Sequence, residues 1–256
     1  MNHKPKISVI IPTYNEENQI EEALIAVKKQ VCNFSYEIIV TDGQSVDKTV
    51  SIAKNYAKVY ISPKKGKSNQ INFVVPKTKG NLLVFLDADT LIDPYFLQRV
   101  YKIFKKNKKL FACSARVKYH DGRIISFSLG SWKWTLTKFF FLNISMHIYY
   151  FFKSLLGYPE LIGCNIIVRR NIFFKAGGFK QLPPDLIGMD KVFSDSLIYL
   201  IRKMKTGKIK TLNFVSVLTS GRSLNASRSL GRITQYRLKK NIFQNLAKDL
   251  NWKEQK

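Results

Sequence analysis

Short apolar runs alternate with helical patterns through the first hundred residues of the chain. Four runs predict buried strands, at residues 7–11, 36–41, 59–61 and 82–86. Three other segments predict helices, at residues 16–30, 47–57 and 67–77. In the first of these helices, Ile20, Leu24 and Val27 recur at helical spacing, which indicates one apolar face.

This alternation predicts an α/β fold: a Rossmann-like, mostly parallel central sheet that is covered by helices on both faces. Ligands bind beyond the carboxyl ends of the strands in such sheets. Three predicted strands carry polar residues at those ends, namely residues 12–16, Asp42 and residues 87–89. We therefore expect one site to gather all three.

The run that ends in Asp87, Ala88 and Asp89 predicts a metal site. Two carboxylates one residue apart repel each other unless a cation or hydrogen-bond donors compensate them. Mg²⁺ or Mn²⁺ takes one or two protein carboxylates and leaves its other positions to phosphate oxygens. An ion held in this way stabilises the charge that develops as a diphosphate leaves. A surface turn is the alternative interpretation, because D-x-D also occurs by chance.

The second half of the chain is less regular. Residues 132–156 are densely aromatic and include Lys133, Lys138 and Lys153, so this segment is core, acceptor pocket or a membrane-contacting element. The tail is basic and helical in pattern, with Arg228, Arg232, Arg237, Lys239 and Lys240. Because no repeat or low-complexity linker separates the halves, we predict a domain over 5–205 and a basic extension over 206–256 in the same structural unit.

The charge of the chain calls for an anionic partner. Its 43 Lys and Arg residues against 17 Asp and Glu give a net charge of +26, which suits nucleic acid, anionic lipid or a phosphorylated substrate. The three cysteines form no CxxC or Cys/His cluster, which argues against a zinc site or a disulfide framework and favours a reduced, cytoplasmic environment. We expect neither a signal peptide nor a membrane-spanning helix, since the apolar runs are too short.

Four blocks of the sequence resemble glycosyltransferase family 2. They are ISVIIPTYNEE at 7–17, EIIVTDGQSVDKT at 37–49, KGKSNQINFVVPKTKGNLLVFLDADT at 65–90 and IGCNIIVRRNIFFKAGGF at 162–179. The resemblance covers roughly residues 5–205. It implies a GT-A fold, a UDP- or GDP-linked sugar as donor, a divalent metal, and inversion at the anomeric carbon.

The resemblance also implies roles for the donor side of the site. Pro12, Tyr14 and Glu16 match the loop that holds the nucleoside, and Asp42 would accept a hydrogen bond from the base. The family often has two acids at the latter position, where this chain has Asp42 followed by glycine.

The remaining donor-side roles concern the diphosphate and the metal. Lys67 would pair with the diphosphate as a point charge. Asp87 would lie near the ribose or sugar, with Ala88 next to it, and Asp89 would be the direct metal ligand. For Asn72 we predict packing or capping.

The catalytic base is the least determined residue. An inverting transferase needs a carboxylate to take the proton of the acceptor hydroxyl, and the family's usual Glu-Asp pair after GGF is missing here. Asp190 and Asp195 compete for the role, with Asp185 third. A stripe of Phe193, Leu197, Leu200 and Met204 predicts a helix that begins near Asp190. Asp190 is our prediction and Asp195 the alternative, although helix capping also explains an Asp at a helix start.

These features favour a metal-dependent glycosyltransferase on the cytoplasmic face of a membrane, with a lipid or lipid-linked glycan as acceptor. A basic nucleic-acid-binding protein is one alternative, but no recognisable nucleic-acid-binding module occurs. A related nucleotidyltransferase is another, but the chain lacks a glycine-rich loop near the first strand.

Overall fold

The structure is a computed structural model that describes residues 4–120, 124–129, 132–137, 144–145, 148–149, 152–153, 160–182, 188–220 and 240–252. Its strands are β1 (Ile7–Thr13), β2 (Tyr36–Asp42), β3 (Lys58–Ile61), β4 (Leu82–Leu86), β5 (Thr90–Ile92), β6 (Leu110–His120), β7 (Ile124–Leu129), β8 (Trp132–Thr137), β9 (Asn165–Arg169) and β10 (Lys208–Ser220). Its helices are α1 (Ile20–Lys28), α2 (Thr49–Lys54), α3 (Lys67–Val74), α4 (Phe96–Lys106), α5 (Arg170–Lys175), α6 (Met189–Met204) and α7 (Lys240–Lys248).

Eight of these strands form one sheet in the order β3-β2-β1-β4-β9-β6-β10-β5. The pairs β2–β3, β1–β2, β1–β4 and β6–β10 are parallel. The pairs that β9 makes with β4 and β6, and the pair β5–β10, are antiparallel. The predicted mostly parallel sheet is thus confirmed, and β7 and β8 form a separate antiparallel pair.

Both faces of the sheet are buried, as the continuous apolar runs predict. In β1, Val9 and Ile11 pack into one core cluster, and Ile10 packs into the other. Successive side chains of a strand point to opposite faces, so a run of apolar residues needs cover on both sides. Helices α1 and α4 contribute to the first cluster, and α3, α5 and α6 contribute to the second.

The helices are shorter than their sequence patterns predict. The segment 16–30 yields a helix only over Ile20–Lys28, and 47–57 yields one only over Thr49–Lys54. Asp47 explains why the second helix begins two residues later than predicted, because its Oδ1 accepts hydrogen bonds from the amide and the hydroxyl of Thr49. A side chain that bonds the backbone two residues on competes with helix formation.

Two consecutive arginines donate hydrogen bonds to backbone carbonyl oxygens that are distant in sequence. The Arg169 guanidinium donates to the carbonyl oxygens of Phe104, Asn107 and Leu110, at and beyond the end of α4, over 2.7 to 2.9 Å. Arg170 donates to the carbonyls of Val75 and Pro76 in the 3₁₀ turn that continues α3. These side chains satisfy acceptors that a helix end leaves unpaired.

Parts of the aromatic segment and the tail are described. Residues 144–145, 148–149 and 152–153 are helical, and no helix in the described part of the chain is long and apolar enough to cross a membrane. Strand β10 continues the central sheet beyond residue 205, and α7 begins at Lys240. Among the basic tail residues named above, Arg228, Arg232, Arg237 and Lys239 lie outside the described residues. The division into 5–205 and 206–256 stays a prediction.

Candidate active site

The polar ends of β1, β2 and β4 meet at one edge of the sheet, because these strands are parallel neighbours. Asp42 is fully buried there. Its carboxylate accepts hydrogen bonds from Thr13 Oγ1 (3.0 Å), from the Ser45 amide (2.8 Å) and from Ser45 Oγ (2.5 Å). Three of about four acceptor positions of this carboxylate are thereby used, and the residue has no exposed surface.

The loop after β1 is tied to the loop after β2. The backbone amide of Asn15 donates to Ser45 Oγ over 2.9 Å, and that of Glu16 donates to Thr49 Oγ1 over 2.7 Å. Asn15 has a φ of 53°, a left-handed conformation that asparagine tolerates better than most residues. Pro12 is buried before this loop, and Glu16 is half-buried within it.

Tyr14 is the exposed member of the predicted nucleoside loop. Its side chain is 47% exposed. Lys65 Nζ lies 4.8 Å from the centre of its ring and 3.3 Å from its hydroxyl oxygen. An exposed ring beside a cation is a surface on which a planar base could stack.

Gln70 of α3 links the ends of β1 and β2 at the same edge, and it was not among the residues predicted for the site. Its Nε2 donates to the carbonyl oxygens of Thr13 (2.6 Å) and Thr41 (2.8 Å), so one buried amide joins the ends of β1 and β2. The only signal in the sequence was its place in the 65–90 block. Asn72, for which packing or capping was predicted, bonds both the amide and the carbonyl of Phe179, which confirms that prediction.

Lys67 is the positive charge that faces Asp87, the first carboxylate of the Asp87-Ala88-Asp89 stretch (the DAD stretch). Its Nζ forms an ion pair with Asp87 Oδ1 and donates to the carbonyl oxygen of Gly163 over 2.9 Å. Burial lowers the pKa of Lys67, but the Asp87 carboxylate outweighs it, and the net pKa is raised above the usual lysine value. Lys67 therefore stays protonated at neutral pH.

Asp89 bonds a different part of the chain from Asp87. Its Oδ1 accepts a hydrogen bond from Thr219 Oγ1 over 3.1 Å, and Thr219 also lies 3.1 Å from the Thr90 hydroxyl. The antiparallel pairing of β5 with β10 brings these residues together, 130 positions apart in sequence. Ala88 is buried between the two acids. The two carboxylates thus have different donors, which reduces their mutual repulsion.

A tight turn at residues 162–165 connects the donor side to the predicted base. The amide of Gly163 donates to Asp190 Oδ2 over 3.2 Å, while its carbonyl accepts from Lys67. The neighbouring carbonyl of Cys164 accepts from the Asp87 amide over 3.1 Å. One turn therefore contacts Lys67, Asp87 and Asp190 together.

A side chain at position 163 would crowd the Asp190 carboxylate. A Cβ on Gly163 would lie 3.0 Å from Asp190 Oδ2, closer than most real contacts of a Cβ. Burial, with a smaller contribution from Asp87, raises the pKa of the Cys164 thiol to about 12. The Cys164 thiol is consequently neutral at physiological pH, and it lines the site without acting as a nucleophile.

The three candidate bases occupy different places. Asp190 lies in the first turn of α6, and its Oδ1 also accepts from the Lys191 amide over 3.0 Å. Asp195 lies further along the helix and forms an ion pair with Lys191. Asp185 lies outside the described residues. In the predicted stripe, Phe193, Leu197 and Leu200 are buried, whereas Met204 at the helix end is exposed, contrary to the prediction.

Asp87 and Asp89 are the carboxylates from which the sequence predicts a metal site. Among the residues that the structure describes, no group of three or more His, Cys, Asp or Glu side chains could hold a metal ion. Asp87 and Asp89 alone match an ion that takes one or two protein carboxylates and fills its other positions with phosphate oxygens and water.

Comparisons with known proteins give the following. The family model described as "Glycosyl transferase family 2" matches residues 8–175. A Beta-monoglucosyldiacylglycerol synthase of Nostoc sp. is 26% identical over 198 residues, which cover 69% of this chain and 38% of that protein. The chain spans between 29% and 38% of the length of the four curated relatives at the head of that comparison.

Two solved structures share the fold. A mannosyltransferase from Pyrobaculum calidifontis in complex with GDP-Man and Mn²⁺ is 19% identical, with a TM-score of 0.68 over 96% of this chain and 69% of that one. A glucosyl-3-phosphoglycerate synthase from Mycobacterium tuberculosis, in complex with Mn²⁺, UDP and phosphoglyceric acid, is 16% identical, with a TM-score of 0.61 over 95% and 79%. The predicted GT-A fold is confirmed by this likeness.

Proposed function

The chain belongs to glycosyltransferase family 2, and on that premise we propose that it is a metal-dependent, inverting transferase that moves a sugar from a nucleoside-diphosphate sugar to an acceptor hydroxyl. The observation that carries the proposal is the turn at Gly163, which contacts Lys67 and Asp87 on one side and Asp190 on the other. A transferase needs a group for the leaving diphosphate and a base for the acceptor within one site.

The nucleoside binds along the ends of β1 and β2 in this proposal. Its base stacks on the exposed ring of Tyr14 and donates to the remaining acceptor position of Asp42, which a shift of the loop after β2 must first uncover, while Pro12 and Glu16 shape the loop after β1. Support comes from the buried, tightly bonded Asp42 carboxylate, which is held rigid by Thr13 and Ser45. A rigid acceptor favours binding because little side-chain freedom is lost.

Asp89 would hold a divalent ion, Mg²⁺ or Mn²⁺, with Asp87 beside it. When bound, such an ion would neutralise charge on the departing diphosphate. The donor oxygen atoms that this requires are present on Asp89, and the complexes of two structural neighbours contain Mn²⁺. The Thr219 hydroxyl keeps the Asp89 carboxylate in one orientation.

Lys67 serves the diphosphate in the proposed mechanism. Its ammonium group lies between Asp87 and Gly163, at the position where a phosphate oxygen would compete for one of its three N–H donors. Asp87 raises its pKa, so Lys67 carries its positive charge at neutral pH before the donor binds.

Asp190 acts as the base in this scheme. Its carboxylate takes the proton of the acceptor hydroxyl as the acceptor oxygen bonds to the anomeric carbon. The bond from that carbon to the diphosphate oxygen breaks, and its electron pair leaves with the nucleoside diphosphate. Attack from the face opposite the leaving group inverts the configuration. The Gly163 amide keeps the carboxylate directed at the turn.

The acceptor in this proposal is a lipid or lipid-linked glycan, and the enzyme works on the cytoplasmic face of an anionic membrane. Three observations favour it. Ile144, Ile148 and Phe152 are about half exposed at intervals of four residues, at helical positions. The net charge is +26, and the Nostoc relative is by its name a synthase of a glycosylated diacylglycerol. Exposed apolar bulk beside basic charge is typical of proteins that lie on membrane surfaces.

A screen of donors tests the enzymatic proposal without knowledge of the acceptor. The chain is incubated with UDP- and GDP-sugars in Mn²⁺, Mg²⁺ or EDTA, and release of nucleoside diphosphate is measured. We expect turnover of one donor with metal and loss of it with EDTA. Asp89→Asn should reduce turnover by about a hundredfold or more, whereas Asp93→Asn, at the other end of β5 and paired with Arg99, should not.

Other outcomes separate the alternatives. Metal-dependent binding of duplex DNA in place of nucleotide sugars would support a nucleic-acid-binding protein, and release of pyrophosphate from nucleoside triphosphates would support a nucleotidyltransferase. Turnover that is equal in Mn²⁺ and EDTA would overturn the metal dependence.

A further inference from the structure

The C-terminal segment, defined as Lys240–Trp252, returns to the active-site domain after β10. The indole of Trp252 packs on two aromatic rings of α5, with ring centres 5.6 Å from Phe173 and 4.9 Å from Phe174. Both contacts are close to edge-to-face, at 61° and 82°. This geometry is favourable for aromatic pairs, so the contact is a packed one.

The segment lies directly on the two glycines of the GGF motif. A Cβ on Gly178 would lie 2.2 Å from the Trp252 ring, and one on Gly177 would lie 3.0 Å from the carbonyl oxygen of Asp249. Both glycines also have positive φ, 64° and 76°. Next to them, Lys180 Nζ lies 3.4 Å from Asp249 Oδ2. The two glycines therefore leave the space in which the C-terminal segment packs, and larger residues at these positions would fill that space.

Helix α3 holds the same motif from the inside. Asn72 bonds the amide and the carbonyl of Phe179, and Ser68 Oγ donates to the carbonyl of Lys180 over 3.1 Å. Ser68 directly follows Lys67, which pairs with Asp87. Contacts thus run from Trp252 through residues 177–180 to the donor side of the site.

Helix α7 reaches the other side of the site. It packs along α6, where Leu246 contacts a small apolar cluster with Val192 and Leu182. Val192 is fully buried and lies two residues after Asp190. The cluster therefore braces the first turn of α6, which carries the proposed base.

We propose that the C-terminal segment is a positioning element of the active site, in which Trp252 and Leu246 hold α3 and the first turn of α6 so that Asp190 stays at the Gly163 turn. The inference rests on the proposed function for its catalytic consequence. Trp252 and Leu246 contact neither reacting group and act only through the residues they pack against. A misplacement of about 1 Å in a catalytic group is enough to lower turnover by orders of magnitude.

The test compares two pairs of variants of the full chain. Trp252→Ala and Leu246→Ala remove the contacts of the segment. Phe34→Ala and Ile103→Ala are matched controls, because Phe34 is a partly buried ring packed on Tyr101 and Ile103 is a partly buried aliphatic residue of α4. Both belong to a different core cluster from Trp252 and Leu246. Trp252→Phe is the conservative variant that should restore function.

Hydrogen exchange gives a readout that needs no substrate. We expect Trp252→Ala and Leu246→Ala to speed amide exchange over residues 161–165 and 189–194 by about tenfold relative to wild type, as local opening there becomes easier. Exchange in β1 and β2 should stay unchanged, and the control variants should not affect the two named stretches. Unchanged exchange in the C-terminal variants would overturn the inference.

Turnover gives the second readout. With the donor that the screen identifies, we expect Trp252→Ala to lower kcat by about tenfold or more while KM for the donor stays within about twofold, and Trp252→Phe to restore most of kcat. Equal losses in the controls, or altered exchange with unchanged kcat, would overturn the positioning role. If the wild type turns over no nucleotide sugar, the proposed function fails, and the exchange result alone then decides whether the segment braces the turn.

Discussion

At the scale of single residues, the site is defined by how its charges are paired. Lys67 binds Asp87 and the Gly163 carbonyl, Asp89 binds Thr219, and Asp190 binds the Gly163 amide. Each acid of the proposed mechanism thus has a donor of its own. The sequence identified the acids through the DAD stretch and the helix start, but Thr219 and Gln70 could not be found, because their partners are set by strand pairing far along the chain.

Lys67→Met should weaken both donor binding and the fold. We expect KM for the donor to rise by about tenfold, since a charge next to the diphosphate is lost. The free energy of unfolding should fall by roughly 1 kcal/mol, between the values for exposed and buried ion pairs, because both side chains are about a third exposed. Urea unfolding and donor kinetics measure the two effects, with Lys64→Met, an exposed lysine of the same loop, as control.

The pH dependence of that stability difference has a definite sign. The pKa of Lys67 is raised in the folded protein, so its contribution is fully present below the unfolded pKa of about 10.4 and is lost as pH rises through the folded pKa. Wild type and Lys67→Met should therefore differ by a constant amount between about pH 6 and 9, and the difference should shrink as pH rises through the folded pKa. A difference that grows with alkaline pH would contradict the ion pair.

At the scale of elements, the strands and helices of residues 7–86 and helix α6 were predictable from local patterns, whereas strands β5 to β10 were not. Strands β1 to β4 and helices α1 to α3 follow from local patterns, and only their ends differ from the prediction. In α2, for example, the bond from the Thr49 amide to Asp47 delays the start of the helix. The position of β9 between β4 and β6 and the pairing of β10 with β6 and β5 are long-range results that no local pattern encodes. Arg169 is similar, since its acceptors lie 59 to 65 residues earlier.

Arg169→Met should destabilise the link between β9 and the end of α4. The substitution leaves three carbonyl oxygens without their guanidinium donor, and we expect the free energy of unfolding to fall by about 2 kcal/mol. Urea denaturation measures it. Arg202→Met, at an exposed position of α6, is the control and should stay within about 0.5 kcal/mol of wild type. Equal stability of the two variants would show that the Arg169 bonds do not hold α4.

At the scale of the whole molecule, the net charge and the exposed helical positions are the features on which the proposed membrane location rests. The sequence left three interpretations of residues 132–156, and only part of that segment is described. The structure adds a strand over Trp132–Thr137 and exposed apolar residues at 144, 148 and 152. The charge of +26 is counted from the sequence over all 256 residues, including those outside the described part of the structure.

Binding to anionic vesicles should depend on both features. The chain should sediment with vesicles that contain phosphatidylglycerol at low salt and much less with neutral phosphatidylcholine vesicles or at about 1 M salt, where screening is strong. Ile148→Asp together with Phe152→Asp should reduce binding by about tenfold or more, since apolar burial is lost. The matched control is Val46→Asp together with Ile61→Asp, two exposed apolar residues of other elements. No sedimentation of the wild type at low salt would defeat the membrane proposal.

The central claim is that Asp190, held at the Gly163 turn, is the base of a sugar transfer. The most direct measurement is the rate of nucleoside diphosphate release from the identified donor by wild type, Asp190→Asn and Asp195→Asn, with vesicles that contain diacylglycerol and polyprenyl phosphate as acceptors. We predict that Asp190→Asn lowers kcat by about a hundredfold or more with KM for the donor nearly unchanged, and that Asp195→Asn, which loses only its pair with Lys191, stays within about threefold of wild type. Unimpaired turnover by Asp190→Asn, or a larger loss in Asp195→Asn, would contradict the account.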